Sequence, residues 1–309
     1  MQPRLFYCDH YQIPLPSGHK FPMAKYRLLR EALAADGTYR LDPAQPAARE
    51  AVLAAHDRAY VMAFVEGTLG PTAIRRIGFP WSPELVQRTL ASVGGTMAAA
   101  EDALCTGFGG TLAGGTHHAF RGEGAGFCVF NDIAVAIISL RRAGRVQRAA
   151  VVDLDVHQGD GTATIFRHDP AVLTLSIHGR NNFPFRKQQS SIDVDFADGT
   201  GDAKYLAELE SVLPRVVEFE PEIVFYQSGV DALEGDRLGR LALTCEGLKR
   251  RDQLVFEACR AHDVPVVITL GGGYADPIAR TVEAHANTFR TAAETLFGAA
   301  MGAYSCVDF

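Results

Sequence analysis

The chain has 309 residues, 47% of them hydrophobic and 21% charged, and a formal net charge of −6. This length and composition are typical of a soluble globular protein with one substantial core. The acidic balance argues against general nucleic-acid binding, and no apolar run reaches the roughly 20 residues of a membrane-spanning helix.

The N-terminus and the cysteines bear on the cellular compartment. Residues 1–11 contain Arg4, Asp9 and His10 and lack the apolar region of a secretory signal. The cysteines are scattered, and no two have the spacing of a zinc finger or a redox pair. Such sparse usage suits a reducing compartment, so we expect a cytoplasmic protein. The six cysteines are Cys8, Cys105, Cys128, Cys245, Cys259 and Cys306.

The first third of the chain is predicted to be mainly helical. Helical periodicity covers residues 22–35, 46–60 and 83–104. No linker or low-complexity stretch separates this third from the rest. We therefore expect residues 1–309 to form a single domain.

From about residue 130 onwards, short apolar runs alternate with helical segments. The predicted strands are 149–154, 172–177, 222–227 and 265–270, and the predicted helices are 133–140, 161–167, 203–217, 248–261 and 277–297. Short β-rich runs that alternate with helices imply crossover connections and a parallel sheet. The predicted fold is therefore α/β, a single-domain parallel β-sheet flanked by helices on both faces.

Parallel sheets place their sites beyond the carboxyl ends of the strands, so the residues after the predicted strands are the candidates. Asp155 and His157 follow one strand and, being two apart in an extended segment, point the same way. Asp231 follows another strand and could approach them. Two carboxylates and one imidazole are a plausible zinc set with an open position. Taken alone, the Asp-x-His sequence also fits a strand end that caps the next helix.

Tandem histidines, His117 and His118, lie in a glycine-rich stretch, and Asp153 and Asp160 lie near the predicted metal ligands without being needed as ligands. A carboxylate that is hydrogen-bonded to one imidazole nitrogen orients the ring and makes the other nitrogen a better base. We interpret the four residues as two oriented imidazoles, although a histidine pair by itself is more often structural.

Tyr274 follows three consecutive glycines at 271–273. Glycines let the backbone turn sharply and come close to a substrate. A phenol in that position could donate a hydrogen bond to a developing oxyanion. The alternative is a partly buried loop tyrosine without a catalytic role.

Five motifs taken together make the chain resemble a known family. They are GGTHHA at 114–119, GFCVFND at 126–132, DLDVHQGDG at 153–161, SGVDALEGD at 228–236 and GGGY at 271–274. With these motifs the chain resembles the histone deacetylase family of the arginase–deacetylase superfamily over roughly residues 5–300. Segments 21–26, 85–88 and 94–96 are most similar to the class IV branch and its bacterial relatives.

The resemblance implies a metal-dependent hydrolysis of an N-acyl-lysine amide, with acetyl as the expected acyl group. One or both histidines would act as general base and then general acid, and the tyrosine would polarise the scissile carbonyl together with Zn²⁺. Fe²⁺ accepts the same ligands and stays an alternative. The implied catalytic residues are His117, His118, Asp153, Asp160 and Tyr274, and the implied zinc ligands are Asp155, His157 and Asp231. The resemblance also implies that His117 pairs with Asp153 and His118 with Asp160.

The resemblance also implies a substrate tunnel and structural potassium. The Gly126 carbonyl would hold the substrate amide, Phe127 and Phe183 would form the tunnel walls, and Gly272 and Gly273 would line the lower part of the tunnel. The implied potassium ligands are Asp153, Asp155, His157, Ser176 and Ile177, and a second potassium site would lie near Phe166 and Val172.

Several alternatives remain open or are weakened at this stage. An arginase-like enzyme with two manganese ions would need further ligands where this chain has Gly159 and Leu233. A protein that only binds its ligand would be expected to lack a metal ligand, the base or the tyrosine, and all are present. An acetylpolyamine or other small acylated amine, and a long-chain fatty-acyl-lysine, would use the same catalytic residues. We expect partners of these chemical types, without nucleic acid or membrane, and the oligomeric state stays open.

Overall fold

The computed structural model describes residues 2–298, so Cys306 lies outside the described residues. The strands within this range are β1 (Arg4–Tyr7), β2 (Arg40–Pro43), β3 (Phe108–Thr111), β4 (Ala149–Asp153), β5 (Val172–Gly179), β6 (Ile192–Phe196), β7 (Val224–Gln227) and β8 (Val266–Thr269). The helices are α1 (Ala24–Asp36), α2 (Arg49–Ala55), α3 (Arg58–Val65), α4 (Pro71–Ile77), α5 (Pro83–Thr106), α6 (Asp132–Arg142), α7 (Asp160–Phe166), α8 (Asp202–Glu218), α9 (Cys245–Ala261) and α10 (Ile278–Ala292), the last followed by a π-helical turn, Ala293–Phe297.

The strands form one sheet in the order β2-β1-β3-β8-β7-β4-β5-β6, and every neighbouring pair is parallel. Every residue of β4, β5, β7 and β8 is buried, as expected for strands covered on both faces. Helices α2, α5 and α6 form one packed group, and α1, α10, α9 and α8 form another. The predicted α/β fold is confirmed.

The central strands were predictable, whereas the outer ones were not. The predicted strands after residue 130 correspond to β4, β5, β7 and β8, while β1, β2, β3 and β6 carry no strand prediction. The sequence of β3 is Phe-Gly-Gly-Thr, which has almost no strand propensity. The edge strand β2 has no buried residue, so it lacks the apolar run that reveals a central strand.

The predicted helix over residues 46–60 is wrong, because the chain forms two helices there, α2 and α3. The break is at His56, whose backbone is extended with φ −122° and ψ 152°. Its Nδ1 lies 2.9 Å from the Phe120 carbonyl, and its Nε2 accepts a 2.9 Å hydrogen bond from the Asn131 N–H. These long-range contacts fix an extended residue inside a helical pattern, a case of tertiary structure overriding local propensity.

Two features bear on the cellular environment. Within the described residues, no helix is both long enough and apolar enough to cross a membrane. Cys8, Cys105, Cys128, Cys245 and Cys259 are all free of disulfides. The cytoplasmic location and the single-domain extent of residues 1–309 stay predictions.

Close packing of α5 on the sheet positions the loop that carries the tandem histidines. A Cβ atom on Gly109 of β3 would lie 1.8 Å from the Ala99 carbonyl oxygen of α5. Such a distance is impossible, so only glycine permits this approach of helix to strand. The strand β3 pairs with β8, and the segment after it leads directly to His117 and His118.

Gly109→Ala should destabilise the protein, because the new methyl group must push α5 away from the sheet. Overpacking of this kind costs about 1–3 kcal/mol. Gly70→Ala is the matched control, since a Cβ there has no neighbour within 4 Å and the residue has an ordinary φ of −64°. Thermal and urea unfolding of the two variants would test the prediction, and equal stabilities would contradict it.

Candidate active site

Two neighbouring strands, β4 and β7, bring the predicted metal ligands together, and β8 lies beside them. Strands β8, β7 and β4 are adjacent, and the segments after their carboxyl ends meet at one edge of the sheet. Asp155 and His157 follow β4, and Asp231 follows β7. Within the described residues, these three form the one group of His, Cys, Asp and Glu whose ligand atoms lie mutually within 4.8 Å.

The geometry of this trio fits a small divalent cation. His157 Nδ1 lies 3.0 Å from Asp155 Oδ1 and 3.0 Å from Asp231 Oδ2. Zinc bonds of about 2.0–2.2 Å place neighbouring ligand atoms of a tetrahedron roughly 3.3 Å apart. Asp231 Oδ2 is buried without a donor in hydrogen-bonding geometry, although the other oxygen of Asp231 accepts from the Val156 N–H at 2.9 Å. A buried carboxylate oxygen without a donor is costly unless a cation binds it, so the residues present fit zinc.

The two histidines form the two carboxylate pairs that the sequence predicts. His117 Nδ1 lies 2.7 Å from Asp153 Oδ2, and His118 Nδ1 lies 2.7 Å from Asp160 Oδ1. The imidazole rings lie beside each other, with centroids 4.1 Å apart. All four side chains are buried. Each carboxylate therefore fixes one nitrogen of its ring and leaves Nε2 available for chemistry.

The two imidazoles differ in basicity. Burial acts to lower the pKa of His117, but the negative charges of Asp153 and Asp155 outweigh burial and raise the pKa to about 9. Burial, reinforced by the adjacent His117, lowers the pKa of His118 to about 4. A cation bound to Asp155 would weaken the contribution of that carboxylate and leave that of Asp153. The pair thus combines a ring that favours its proton with one that is neutral at pH 7.

The glycine-rich turn after β8 closes the site. The Gly272 N–H donates to Asp155 Oδ2 at 2.6 Å, and a Cβ on Gly272 would lie 1.8 Å from Asp231 Oδ2. The Tyr274 N–H donates to Asp236 Oδ2 at 2.6 Å. Burial, together with the charges of Asp231 and Asp155, raises the pKa of the Tyr274 phenol well above its usual value. The phenol therefore keeps its proton and can donate a hydrogen bond.

A cavity of about 260 Å³ leads from the surface to these groups. His118, His157, Gly126, Phe127, Phe183 and Tyr274 all line this mouth cavity. Phe127 has φ of 66°, an uncommon conformation for a bulky residue and one that occurs often at functional sites. The His118 and Phe183 rings meet edge to face with centroids 4.8 Å apart. The mouth cavity thus brings the predicted aromatic walls together with the predicted base and tyrosine.

A smaller inner cavity of about 60 Å³ lies beyond the mouth cavity. Gly272 lines it together with His117, His118, Asp155 and Tyr274. Gly273 does not line it, because a Cβ at that position would point at Thr281 and Val230. Of the two glycines predicted for the lower tunnel, only Gly272 therefore lies in the place expected for it.

The residues predicted to hold potassium lie beside the site. Asp153 and Ser176 are register partners on β4 and β5, and Ile177 follows on the same strand. Ser176 Oγ lies 3.0 Å from His178 Nδ1. Phe166 and Val172 lie at the end of α7 and the start of β5, respectively.

A buried lysine in the site was missed by the sequence prediction. Lys25 of α1 is 1% exposed, and its Nζ donates to the Gly271 carbonyl at 3.0 Å. The same nitrogen lies 5.5 Å from the centroid of the Tyr274 ring. Burial lowers the pKa of Lys25 to about 8 against the opposing pull of Asp231 and Asp155. Lys25 lies in segment 21–26, which the sequence analysis compares with the class IV branch, but no role was assigned to it there.

Two aspartates in the motifs that carry the family resemblance support the site, although the sequence analysis assigns no role to them. Asp236 ends SGVDALEGD and holds the Tyr274 backbone as described above. Asp132 ends GFCVFND, and its carboxylate accepts from the N–H groups of Gly115 and Thr116 at 3.0 and 2.7 Å. Asp132 thereby anchors the loop just before His117. Their position as acidic residues inside these motifs was the sequence signal that could have predicted a supporting role.

Comparison with known proteins agrees with this arrangement. The family model for the histone deacetylase domain matches residues 19–289. An uncharacterized protein of Picosynechococcus is 47% identical over 293 residues, which is 93% of this chain and 97% of that protein. Histone deacetylase 2 of Arabidopsis thaliana is 36% identical over 62% of this chain, and human histone deacetylase 1 is 34% identical over 52%.

The extent of these matches determines what they establish. The matched segments make up 50% of the Arabidopsis protein and 35% of the human protein. The family model covers most of this chain, and the cyanobacterial relative matches almost end to end. The chain therefore belongs to the histone deacetylase family of hydrolases.

Proposed function

We propose that this protein is a zinc-dependent amide hydrolase that removes an acetyl group from N-acetyl-lysine. The observation that carries the proposal is the convergence at one cavity of the Asp155/His157/Asp231 trio, two Asp-paired histidines and Tyr274. Membership of the histone deacetylase family supports a deacetylase hydrolase.

The metal would be held by Asp155, His157 and Asp231. A divalent zinc ion there would supply Lewis-acid chemistry, polarising the acyl carbonyl and activating water. Fe²⁺ suits the same nitrogen and oxygen donors. The potassium ion predicted at Asp153, Ser176 and Ile177 remains part of the proposal, and the register pairing of Asp153 with Ser176 supports it.

The chain's own groups orient the substrate. Phe127 and Phe183 provide apolar walls along the mouth cavity for the four-carbon lysine stem. The Gly126 carbonyl, at the junction of the mouth and inner cavities, accepts the N–H of the scissile amide. The protonated Tyr274 phenol donates to the acyl oxygen, more strongly as negative charge develops there in the transition state.

Proton transfer falls to His118. Its neutral Nε2 accepts a proton from water as the water oxygen bonds to the carbonyl carbon. The same Nε2 then returns that proton to the lysine nitrogen as the C–N bond breaks, which releases acetate and a free amine. His117, whose pKa Asp153 acts to raise, lies beside it and, in its protonated form, stabilises the developing negative charge.

The size of the inner cavity favours a short acyl group. Its volume is about 60 Å³, and a neighbouring cavity that shares Phe21, Tyr26 and Phe127 is equally small. A single water molecule needs roughly 10–15 Å³ by such a measure. An acetyl group fits this space, whereas a fatty chain of a dozen methylenes requires the walls to rearrange.

Removal of a metal ligand should abolish zinc binding. Asp231→Asn removes a charged ligand, and the loss should exceed the roughly 10- to 100-fold weakening that follows loss of an outer-shell partner. Zinc content after dialysis against a zinc buffer, measured by atomic emission, would show this. Asp263→Asn is the control, because this exposed residue has φ of 52°, a conformation that asparagine also adopts. Full zinc content in Asp231→Asn would contradict the ligand assignment.

The substrate preference and the role of Tyr274 can be tested in one set of assays. We expect the zinc-loaded protein to hydrolyse acetyl-lysine peptides in preference to long-chain acyl-lysine peptides and acetylated polyamines. Tyr274→Phe should lower kcat by about 10²- to 10³-fold, the usual effect of losing one oxyanion donor, while zinc stays bound. Tyr39→Phe is the control, since its hydroxyl donates to the Phe289 carbonyl at 2.7 Å, outside the site. Full activity of Tyr274→Phe would refute its role, and inactivity on all acyl-lysines would refute the proposed function.

The two histidines should respond differently to mutation. His118→Ala should lower kcat by about 10²- to 10⁴-fold, because it removes the general base and acid. His262→Ala, at an exposed position after α9, should keep normal turnover. Steady-state kinetics of both, with His117→Ala for comparison, would assign the base. Retained turnover in His118→Ala with loss in His117→Ala would transfer that role to His117.

A further inference from the structure

Two exposed aromatic rings lie at the mouth of the active site. Phe183 and Phe185 are the only exposed large hydrophobic side chains among residues 2–298, at 36% and 86% exposure. Both line the mouth cavity, and their ring centroids are 6.4 Å apart. Leu238 continues the apolar surface on the opposite segment. Exposed apolar side chains grouped at a cavity mark a binding surface more often than chance placement does.

The loop that carries these rings is held in place. The buried Asn182 side chain donates to the Leu238 carbonyl at 2.7 Å, which ties the loop to the segment across the mouth. Lys187 Nζ donates to the carbonyls of Asn182 and Pro184 at 2.6 and 2.7 Å. Gln158, next to the metal ligand His157, donates to the Gln188 carbonyl at 2.7 Å. Phe185 is thus presented to solvent by an anchored loop, so little ordering entropy is lost when a ligand binds it.

The charge of the mouth excludes one class of substrate. No carboxylate lines the mouth cavity, and its one permanently charged lining residue is Arg240. Asp198 pairs with Arg240 at 3.2 Å, while the exposed Arg186 and Arg237 have no ion pair within the described residues. The residues that line the mouth cavity thus include one arginine and no carboxylate, although the whole chain carries −6. A polycation such as an acetylated polyamine would find no carboxylate in this lining to compensate its charge.

We propose that Phe185, with Phe183 and Leu238, forms a specificity surface that reads the polypeptide beside the acylated lysine. The preferred substrate is an acyl-lysine flanked by an apolar or aromatic residue, and flanking lysines or a polyamine chain are disfavoured. This inference rests on the proposed function, because the mouth is continuous with the proposed tunnel. Aromatic contact outside the tunnel supplies the binding, and a lining that contains Arg240 and no carboxylate supplies the discrimination by charge.

The test compares acetyl-lysine peptides that differ in one residue next to the acetyl-lysine, with Phe, Ala, Glu or Lys there, and includes N-acetylspermidine. The zinc-loaded full chain should show kcat/KM about 3- to 10-fold higher for the Phe peptide than for the Ala peptide, as expected for one added aromatic pair. The Lys peptide should fall about two- to fivefold below the Glu peptide, less so at high salt. N-Acetylspermidine should be the poorest substrate.

Variants separate this surface from the rest of the enzyme. Phe185→Ala should remove the preference for Phe over Ala, whereas Phe185→Trp should retain the preference. Arg215→Ala, at an exposed position on α8, is the control and should retain every ratio. Equal kcat/KM for all flanking residues would overturn the proposal, as would a preference that survives in Phe185→Ala.

Binding and oligomeric state distinguish the remaining outcomes. Fluorescence anisotropy with labelled peptides reports the flank preference even if none is hydrolysed. If no peptide is hydrolysed, the proposed function is refuted. The specificity surface would then be tested by the ratio of Kd values for the Phe and Lys peptides, measured in the wild type and in Phe185→Ala. A ratio that is the same in both proteins would refute the surface. A dimer in sedimentation that Phe185→Ala dissociates, without any flank preference, would assign the rings to a second copy of the chain and overturn the proposal.

Discussion

Four carboxylates buried at one edge of a sheet are the constraint on which the rest of the site depends. Asp153, Asp155, Asp160 and Asp231 are each at most 4% exposed. An ionised carboxylate removed from water is strongly destabilising unless hydrogen bonds and opposite charges compensate. Imidazoles compensate Asp153 and Asp160, and backbone N–H groups together with His157 compensate part of the charge on Asp155 and Asp231. The remaining charge is what suits this edge to the cation proposed there.

The fold can hold such a cluster because the parallel sheet brings Asp153 at the end of β4 and the loops after β4 and β7 to this edge. The loops after β4 and β7 are in turn held from below by Arg251 of α9. Its Nη1 donates to the carbonyls of Leu154 and Gly229 at 3.3 and 2.6 Å, so one fully buried guanidinium ties two ligand-bearing segments together. Asp252 balances that charge through a 2.7 Å ion pair. Positioning of the metal ligands therefore depends on a second, oppositely charged layer beneath them.

The sequence reveals the centre of this arrangement better than its surroundings. Strands such as β4, in which four apolar residues precede Asp153, are followed by chemically distinctive residues, so both the strands and the candidate ligands after them are predictable. The pairing of His117 with Asp153 was accessible through the resemblance to the histone deacetylase family. The contacts of Lys25 and Arg251 were not predicted, because they arise from long-range packing, although Lys25 lies in the class IV-like segment 21–26. The short strand β3 and the break at His56 were missed for the same reason.

The interior and the mouth of the site follow different physical rules, and this difference affects how the enzyme selects its substrate. In the interior, close contacts around Gly272 and the Asp–His pairs leave an inner cavity of about 60 Å³. We therefore expect the interior to select acyl groups by their size and by their hydrogen-bond geometry. At the mouth, Phe185 and its neighbours are exposed, and selection there is by apolar contact and charge. The proposed mechanism requires the inner region to stay unchanged, because a shift of a proposed metal ligand or of a histidine would disturb proton transfer and metal binding together. The residues at the mouth are not subject to this constraint. Side chains there can change substrate preference while the catalytic groups keep their positions, which makes the loop at residues 181–188 the part of the site best suited to set specificity.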